Sequence, residues 1–142
     1  MKKFVLATTM GLVLATSHAA ELKSFDQVSK AVNGGKDLTY VLNLNECQSN
    51  LPAQDIITSV KPNAFMVINK QRITAAFQHF SLNQPGAVGL PTFTNAKYDI
   101  SADGKANIKI TIMKAADYSA IMEYSLQCEL GQGLTVFDNP SA

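Results

Sequence analysis

The chain has 142 residues, of which 46% are hydrophobic and 16% are charged, and its formal net charge is +1. This length and composition suit a single globular domain with one core. Proteins that bind nucleic-acid phosphates or anionic membrane surfaces carry a basic cluster, and the sequence has none, which excludes nucleic acid as an expected partner.

The first 19 residues are typical of a secretory signal peptide. Lys2 and Lys3 form a positive start, Phe4 to Ala15 is an uncharged apolar run, and small residues precede a cleavage site after Ala19, with Ala20 as the alternative. The 12-residue apolar run is shorter than the roughly 20 residues that a membrane-spanning helix needs. We therefore expect a single domain at 20–142 without a membrane span, in the periplasm or secreted.

Two cysteines, Cys47 and Cys128, occur in the whole chain. Export would carry them into an oxidising compartment, where two thiols usually form one structural disulfide. Closing a loop of this length stabilises a fold by about 4 kcal/mol in the chain-entropy model. The cysteines lie far apart and form no Cys-x-x-Cys pattern, so a redox or zinc role has little support.

One helix is predicted near the start of the domain, over Ser24 to Asn33. Ser24 can accept a hydrogen bond at the helix N-terminus, and Gln27 completes a capping box. Gly34 and Gly35 follow and favour the end of the helix. The positions that form its apolar face are Phe25, Val28, Ala31 and Val32.

Three strands are predicted after the helix. Apolar residues alternate in Leu38 to Leu44, and two further β-rich runs follow at Ala64 to Ile68 and Ile73 to Leu82. Cys47 to Pro62 contains two prolines and is interpreted as a loop with one helical turn. Asn83 to Thr92 contains two prolines and two glycines and is interpreted as a second irregular segment.

A β-hairpin is predicted around Asp103 and Gly104, with arms at Ala96 to Ser101 and Lys105 to Met113. A two-residue turn would place the apolar residues of the two arms on opposite faces, whereas a three-residue loop places them all on one face. We prefer the second register, which pairs Tyr98 with Ile108 and needs Gly104 at positive φ.

The C-terminal part predicts two further strands. Ser119 to Glu129 alternates with Cys128 on the core side, Gly131 and Gly133 provide turn chemistry, and Leu134 to Phe137 forms a short last strand. The resulting fold class is α+β, mainly β. We expect the helix to pack on an antiparallel sheet of about seven strands, with a meander from Tyr98 onward, which could curl into a partial barrel.

His79 is the only histidine that remains once the signal peptide is removed. The chain has no Gly-x-Ser-x-Gly motif and no glycine-rich phosphate loop, and its carboxylates are scattered, so we expect no enzyme, cofactor or metal. Strand alternation places His79 on the face of Ile73, Ala75 and Phe77. A hydrogen-bonded structural role is the usual one there, and a general base, a ligand-binding group or a pH-sensitive contact are the alternatives.

Several segments together resemble the VirK family, which are small exported bacterial proteins associated with virulence loci. They are the helix that ends in Gly-Gly, the run Leu44 to Cys47, the segment Phe77 to Phe80, and the C-terminal stretch Tyr124 to Gly133, which is followed by Phe137. The resemblance implies a Gram-negative, host-associated source and a virulence context. It implies no reaction.

Three functional hypotheses remain open. The first is a binding or accessory module in the periplasm or outside the cell, whose partner is an unidentified protein or small molecule. The second is a small hydrolase that uses His79, which predicts a cleft with an acid or hydroxyl beside that side chain. The third is an assembly partner that docks through a sheet edge.

Overall fold

A computed structural model describes residues 18–52 and 55–140, so most of the predicted signal peptide, residues 1–17, lies outside the described part. It contains one α-helix, α1 (Phe25–Asn33), and a short 3-10 turn at Leu44–Glu46. The ten strands are β1 (Ala20–Leu22), β2 (Leu38–Asn43), β3 (Gln48–Ser49), β4 (Ile57–Val60), β5 (Ala64–Ile68), β6 (Arg72–Ser81), β7 (Thr92–Ser101), β8 (Lys105–Lys114), β9 (Ala120–Leu130) and β10 (Gly133–Asp138). The α+β, mainly β class is confirmed.

All ten strands belong to one curled sheet. Its order is β4-β2-β10-β9-β8-β7-β6-β5, and β1 adds to β10 while β3 adds to β9. The seven predicted strands are present. The sheet is larger than expected because three short segments, β1, β3 and β4, also pair, and two of these lie in the stretch that was interpreted as a loop.

The last connection differs from the predicted antiparallel meander. β9 and β10 are joined through Gly131 and Gln132, but their two bridges are parallel, and β10 pairs antiparallel with β2 and β1 instead. Gly131 and Gly133 both have positive φ, at 85° and 84°. The chain therefore bends here without forming a hairpin, and β10 leaves β9 to pair with β2 and β1.

The sheet curls so that its two ends approach each other, which gives the predicted partial barrel. Tyr40 on β2 contacts Phe65 on β5, with ring centroids 5.9 Å apart, and Tyr98 on β7 meets Tyr40 at 5.2 Å. The end strands β4 and β5 are joined by only three residues, 61–63. One continuous core therefore fills the curl.

Helix α1 packs against β5 and completes this core. Ser24 and Gln27 form the predicted capping box, and Gln27 Oε1 accepts from the Ser24 backbone N–H at 3.2 Å. Phe25, Val28 and Ala31 are buried. Because a helix of nine residues is marginal in isolation, this buried face stabilises it.

The β7–β8 hairpin has the register of the three-residue loop. Tyr98 pairs with Ile108, and Ile100 pairs with Ala106, and all four are buried. Gly104 has φ +85°, and its N–H donates to the Ser101 carbonyl at 2.9 Å. The preferred register is confirmed, because only this loop length keeps the apolar residues of both arms in the core.

Within the described residues, no helix has the length and apolar character needed to cross a membrane.

Candidate functional site

Cys47 and Cys128 form the predicted disulfide, with Cα atoms 4.5 Å apart. The bond joins the end of the 3-10 turn to β9, and Gly133 packs directly against it. The Gly133 N–H also donates to Glu46 Oε2 at 2.9 Å. The disulfide and the turn glycines thus form one structural corner that fixes where β10 begins.

A polar cleft of about 360 Å³ lies beside this corner. Two carboxylates and one ammonium line it, from Glu46, Glu129 and Lys105. The carboxamides that line it belong to Gln48, Asn107, Gln127 and Gln132. Within the part of the chain that the structure covers, no three residues of metal-binding type come together. Among the residues that the structure describes, the one hydrogen bond to a carboxylate of this cleft is the structural bond from the Gly133 N–H to Glu46.

His79 lies near the end of β6 and is exposed to solvent. Its ring lies 5.5 Å from that of Phe77, with the planes tilted by 36°. Among residues 18–52 and 55–140, no hydrogen bond or ion pair engages its side chain. Thr94 is directly opposite on β7, but its hydroxyl donates to Gln84 Oε1 at 3.4 Å. The side chain of His79 therefore has neither the hydrogen bond of a structural role nor an ion-paired acid within the described residues.

The outward face of β5 to β8 holds the larger depression, a groove of about 620 Å³. Small side chains from Ala64, Thr74 and Ala76 form its floor, since they point away from the core on alternate positions. Polar side chains line it, from Gln78, Asn95, Lys97, Lys109 and Thr111. The groove therefore combines an apolar floor with carboxamide, hydroxyl and ammonium groups.

One polar atom in this groove lacks a hydrogen bond. Asn95 Oδ1 is buried and has no partner in the described structure. An unsatisfied buried polar group costs about 1–3 kcal/mol, so such groups usually have an explanation in a ligand, a water molecule or strain.

The two lysines of the groove, Lys97 and Lys109, are directly opposite each other on β7 and β8. Like charges in this position destabilise a sheet. Lys109 is paired with Glu123 at 3.1 Å, whereas Lys97 forms no ion pair with any residue the structure describes. Lys97 is therefore the uncompensated cation of the groove.

An aromatic cluster continues the same outward face toward the far end of β6 and β7. The rings of Phe80 and Phe93 meet edge to face at 5.7 Å, and Tyr118 stacks on Phe93 at 5.9 Å with an interplanar angle of 6°. Tyr118 is 62% exposed and has φ +59°. A bulky residue in this conformation is an outlier that costs about 1–3 kcal/mol, and such outliers concentrate at functional sites.

The loop 81–92 and the turn 114–119 form what we call the apolar end of the molecule. The loop has no charged residue. A hydrogen bond of 2.9 Å joins the turn to the loop, from the Ala115 backbone N–H to the Pro91 carbonyl. Val88 is 77% exposed, and the other large exposed apolar side chains here are Leu82, Leu90 and Tyr118, with Phe80 of β6 directly before the loop. Ala87 is buried, so the loop is anchored on the protein while its apolar side chains face solvent.

Comparison with known proteins identifies the family. The sequence model of the VirK protein family matches residues 21–118, which is more than half of the chain. The chain belongs to the VirK family. The resemblance inferred from the sequence is thereby confirmed.

A solved structure and a curated relative agree with this assignment. The crystal structure of lpg1832, a VirK family protein from Legionella pneumophila, is 41% identical and has a TM-score of 0.79, covering 82% of this chain and 98% of that one. The uncharacterized protein y4wH from Sinorhizobium fredii is 28% identical over 149 residues, covering 96% of this chain and 99% of the relative.

The matched VirK region includes the groove, the aromatic cluster and the apolar end, whereas Cys128, Gly131 and Gly133 follow it. Of the residues singled out in the sequence, the structure brings together the disulfide and the turn glycine Gly133, but leaves His79 apart. Sequence reasoning missed Asn95 and Lys97. For the apolar end, the available signal was the absence of charge across loop 81–92, which sets this segment apart from an ordinary surface loop.

Proposed function

We propose that this VirK-family protein is an exported, virulence-associated accessory module that docks on a protein partner through its apolar end. The observation that supports the proposal is the set of exposed apolar side chains on an anchored, uncharged loop. Contiguous exposed apolar surface is uncommon on monomeric soluble proteins and often marks a site of protein interaction.

The unpaired edge of β9 favours docking at the same end. β3 pairs with β9 at Leu126 and Gln127, and the Ser125 N–H donates to Asn50 Oδ1 at 2.9 Å. Beyond that point, β9 is paired with β8 on one side, and no second strand pairs with residues 120–124 among those described. A partner could therefore add a strand beside the apolar end as well as cover its side chains.

Export is supported by two observations. The leader has the charge and length pattern of a signal peptide, and the mature region closes a disulfide between distant elements, which persists in an oxidising compartment. We propose the periplasm or the cell exterior as the location of the mature protein.

A binding role accounts for the chemistry better than catalysis does. Asp103 and Asp117 accept hydrogen bonds from turn residues, and hydrogen bonds from Ser101 and Ser119 hold the pKa values of these carboxyls below the usual range. These acids are committed to local structure, and His79 is isolated. We therefore propose that the protein acts without a reaction of its own.

Photo-crosslinking in the source bacterium tests this function. A photoreactive amino acid at position 88 should give one discrete crosslinked protein in the cell envelope, because Val88 is exposed at the centre of the apolar loop. The control is the same substitution at Lys70, in the β5–β6 turn at the opposite end of β6. Leu90→Glu should lower the yield from position 88 about tenfold by placing a charge in the interface.

The proposal fails if position 88 gives no discrete protein product, if Lys70 gives an equal yield, or if Leu90→Glu has no effect. A product that contains only a second copy of this chain, or only lipid, also overturns docking on a protein partner. Fractionation of the same cells tests export, since the mature chain should begin at Ala20 or Glu21 outside the cytoplasm.

A further inference from the structure

Three chemically distinct groups follow one another on the outward side of β7. Phe93, Asn95 and Lys97 occupy alternate positions of this strand and therefore face the same way. At about 3.4 Å per residue, they span a line roughly 14 Å long. An aromatic platform, a carboxamide and an ammonium are thus arranged in that order along one extended path.

The aromatic platform is held in an unfavourable backbone conformation. Tyr118 lies at φ +59° and still places its ring parallel to that of Phe93. Because Phe93 covers one ring face and the side chain is 62% exposed, the other face is open to a ligand. An open aromatic face of this kind binds apolar C–H surfaces.

The carboxamide in the middle of the path needs a partner that the protein does not supply. Asn95 Oδ1 is buried without a hydrogen bond, and Gln78 and Thr111 lie beside it on the neighbouring strands. A ligand hydroxyl both donates and accepts, so it satisfies the buried atom in either orientation of the carboxamide.

The ammonium at the end of the path needs an anion. Lys97 faces Lys109, and the only acid ion-paired to either in the described residues is Glu123, which is bound to Lys109. A carboxylate beside Lys97 would remove the remaining like-charge repulsion between the two strands.

We propose that this face binds an acidic oligosaccharide that lies along β7. The site shares Tyr118 with the apolar end but does not include Val88 or Leu90 of the protein-docking loop. A sugar ring offers an apolar C–H face to Tyr118 and hydroxyls to Asn95 and Gln78, and a uronate carboxylate meets Lys97. An acidic peptide would satisfy Lys97, and its backbone N–H groups would donate to Asn95, but aspartate and glutamate side chains offer no ring face to Tyr118.

The test is binding of the oxidised, exported protein to an array of uronate-containing oligosaccharides and of matched neutral ones. At least one uronate oligosaccharide should bind, with Kd measured by calorimetry. Asn95→Ala and Tyr118→Asn should each weaken it about tenfold, since each removes one principal contact. Lys97→Gln should remove the preference for the acidic over the neutral oligosaccharide.

Tyr118→Asn is suited to this test because asparagine tolerates the left-handed conformation, so the turn should still fold. Val88→Glu is the matched control, since it alters the protein-docking loop and should leave glycan binding unchanged. The proposal is overturned if no uronate oligosaccharide binds, if Asn95→Ala and Tyr118→Asn bind normally, or if polyglutamate competes as well as the glycan does.

Discussion

Gly133 is the residue on which the C-terminal corner depends. A Cβ atom at this position would lie 2.7 Å from Cys47 Sγ and 3.2 Å from both Cys128 Cβ and the Glu46 carbonyl oxygen. The contact is with a disulfide and a backbone, which cannot move aside easily. Gly131, two residues earlier, has almost the same φ, but apart from its chain neighbours no atom of the described residues lies within 4 Å of the position that a Cβ would take there.

Replacing each of these two glycines with alanine separates two contributions to the loss of stability, the backbone conformation and the crowding around the new Cβ atom. Gly131→Ala should lower the free energy of unfolding by about 1–2 kcal/mol through positive φ alone. Gly133→Ala should lower the free energy of unfolding by about 1–3 kcal/mol more than Gly131→Ala, because its Cβ overpacks the disulfide corner. Urea denaturation of the oxidised proteins measures both values, and equal losses would show that crowding has no role.

The exposure of His79 could not be predicted from its position in the strand. Alternation correctly gives the face of a strand on which a side chain lies, but it does not show whether another element covers that face. Ile73 and Ala75 on the same side are buried, whereas His79 is exposed. Asn95 was missed for the converse reason, because alternation gives a half-buried outward position there and does not show that its Oδ1 atom is covered by neighbouring side chains.

Among the elements, the β7–β8 hairpin was the most predictable because only local geometry was needed. Ser101 Oγ donates to Asp103 Oδ1 at 2.6 Å, and the Lys105 N–H donates to the same oxygen at 3.2 Å. These bonds close the loop, and Gly104 supplies the positive φ that the bulge requires. Sequence and structure agree where the determining contacts lie within a few residues.

Substitutions at Gly104 test this interpretation of the loop. In the described part of the chain, no atom beyond the two neighbouring residues lies within 4 Å of a Cβ at Gly104, so only backbone conformation should set the cost in stability. We expect Gly104→Asn to lower the free energy of unfolding least and Gly104→Ala to lower it by about 1–2 kcal/mol. Gly104→Val should lower it further, because β-branched residues resist positive φ. Unfolding in urea ranks the three, and a valine variant as stable as the asparagine variant would contradict the assigned conformation.

The short strands β1, β3 and β4 could not be predicted from their own residues. β3 has two residues and β4 has four, and Ile57 on β4 is exposed, so neither shows a clear alternating pattern. They pair because β9 and β2 offer open backbone groups beside them. Tertiary context, rather than local propensity, forms these elements.

At the scale of the whole molecule, closure of the curl places two tyrosine hydroxyls in the core. Burial raises the pKa of Tyr40 well above its ordinary value, with a smaller contribution from the nearby Tyr98, and burial raises the pKa of Tyr98 to about 12. Tyr40 Oη is buried without a hydrogen bond to any residue in the described ranges. The meeting of these two tyrosines could not be predicted from the sequence, because they come from strands far apart in the chain.

These tyrosines predict how the whole fold responds to alkaline pH. Both pKa values are higher in the folded state than the ordinary 10.0, so the stabilisation is complete below pH 10 and is lost as the pH rises toward the folded values. Each tyrosine should lower the free energy of unfolding by up to about 1.4 kcal/mol per pH unit in that range. Urea unfolding at several pH values between 9 and 11 measures the slope.

Tyr40→Phe isolates one of the two contributions. At neutral pH it should leave the free energy of unfolding within about 1 kcal/mol of the original or raise it, because the hydroxyl it removes has no hydrogen-bond partner in the described structure. Above pH 10 it should reduce the slope by roughly half, since one of two similar groups is removed. Phe65→Leu is the control, because it alters the ring that contacts Tyr40 without removing an ionisable group, and its slope should equal that of the unaltered protein. If Tyr40→Phe also leaves the slope unchanged, the buried tyrosines do not set the alkaline limit of this fold.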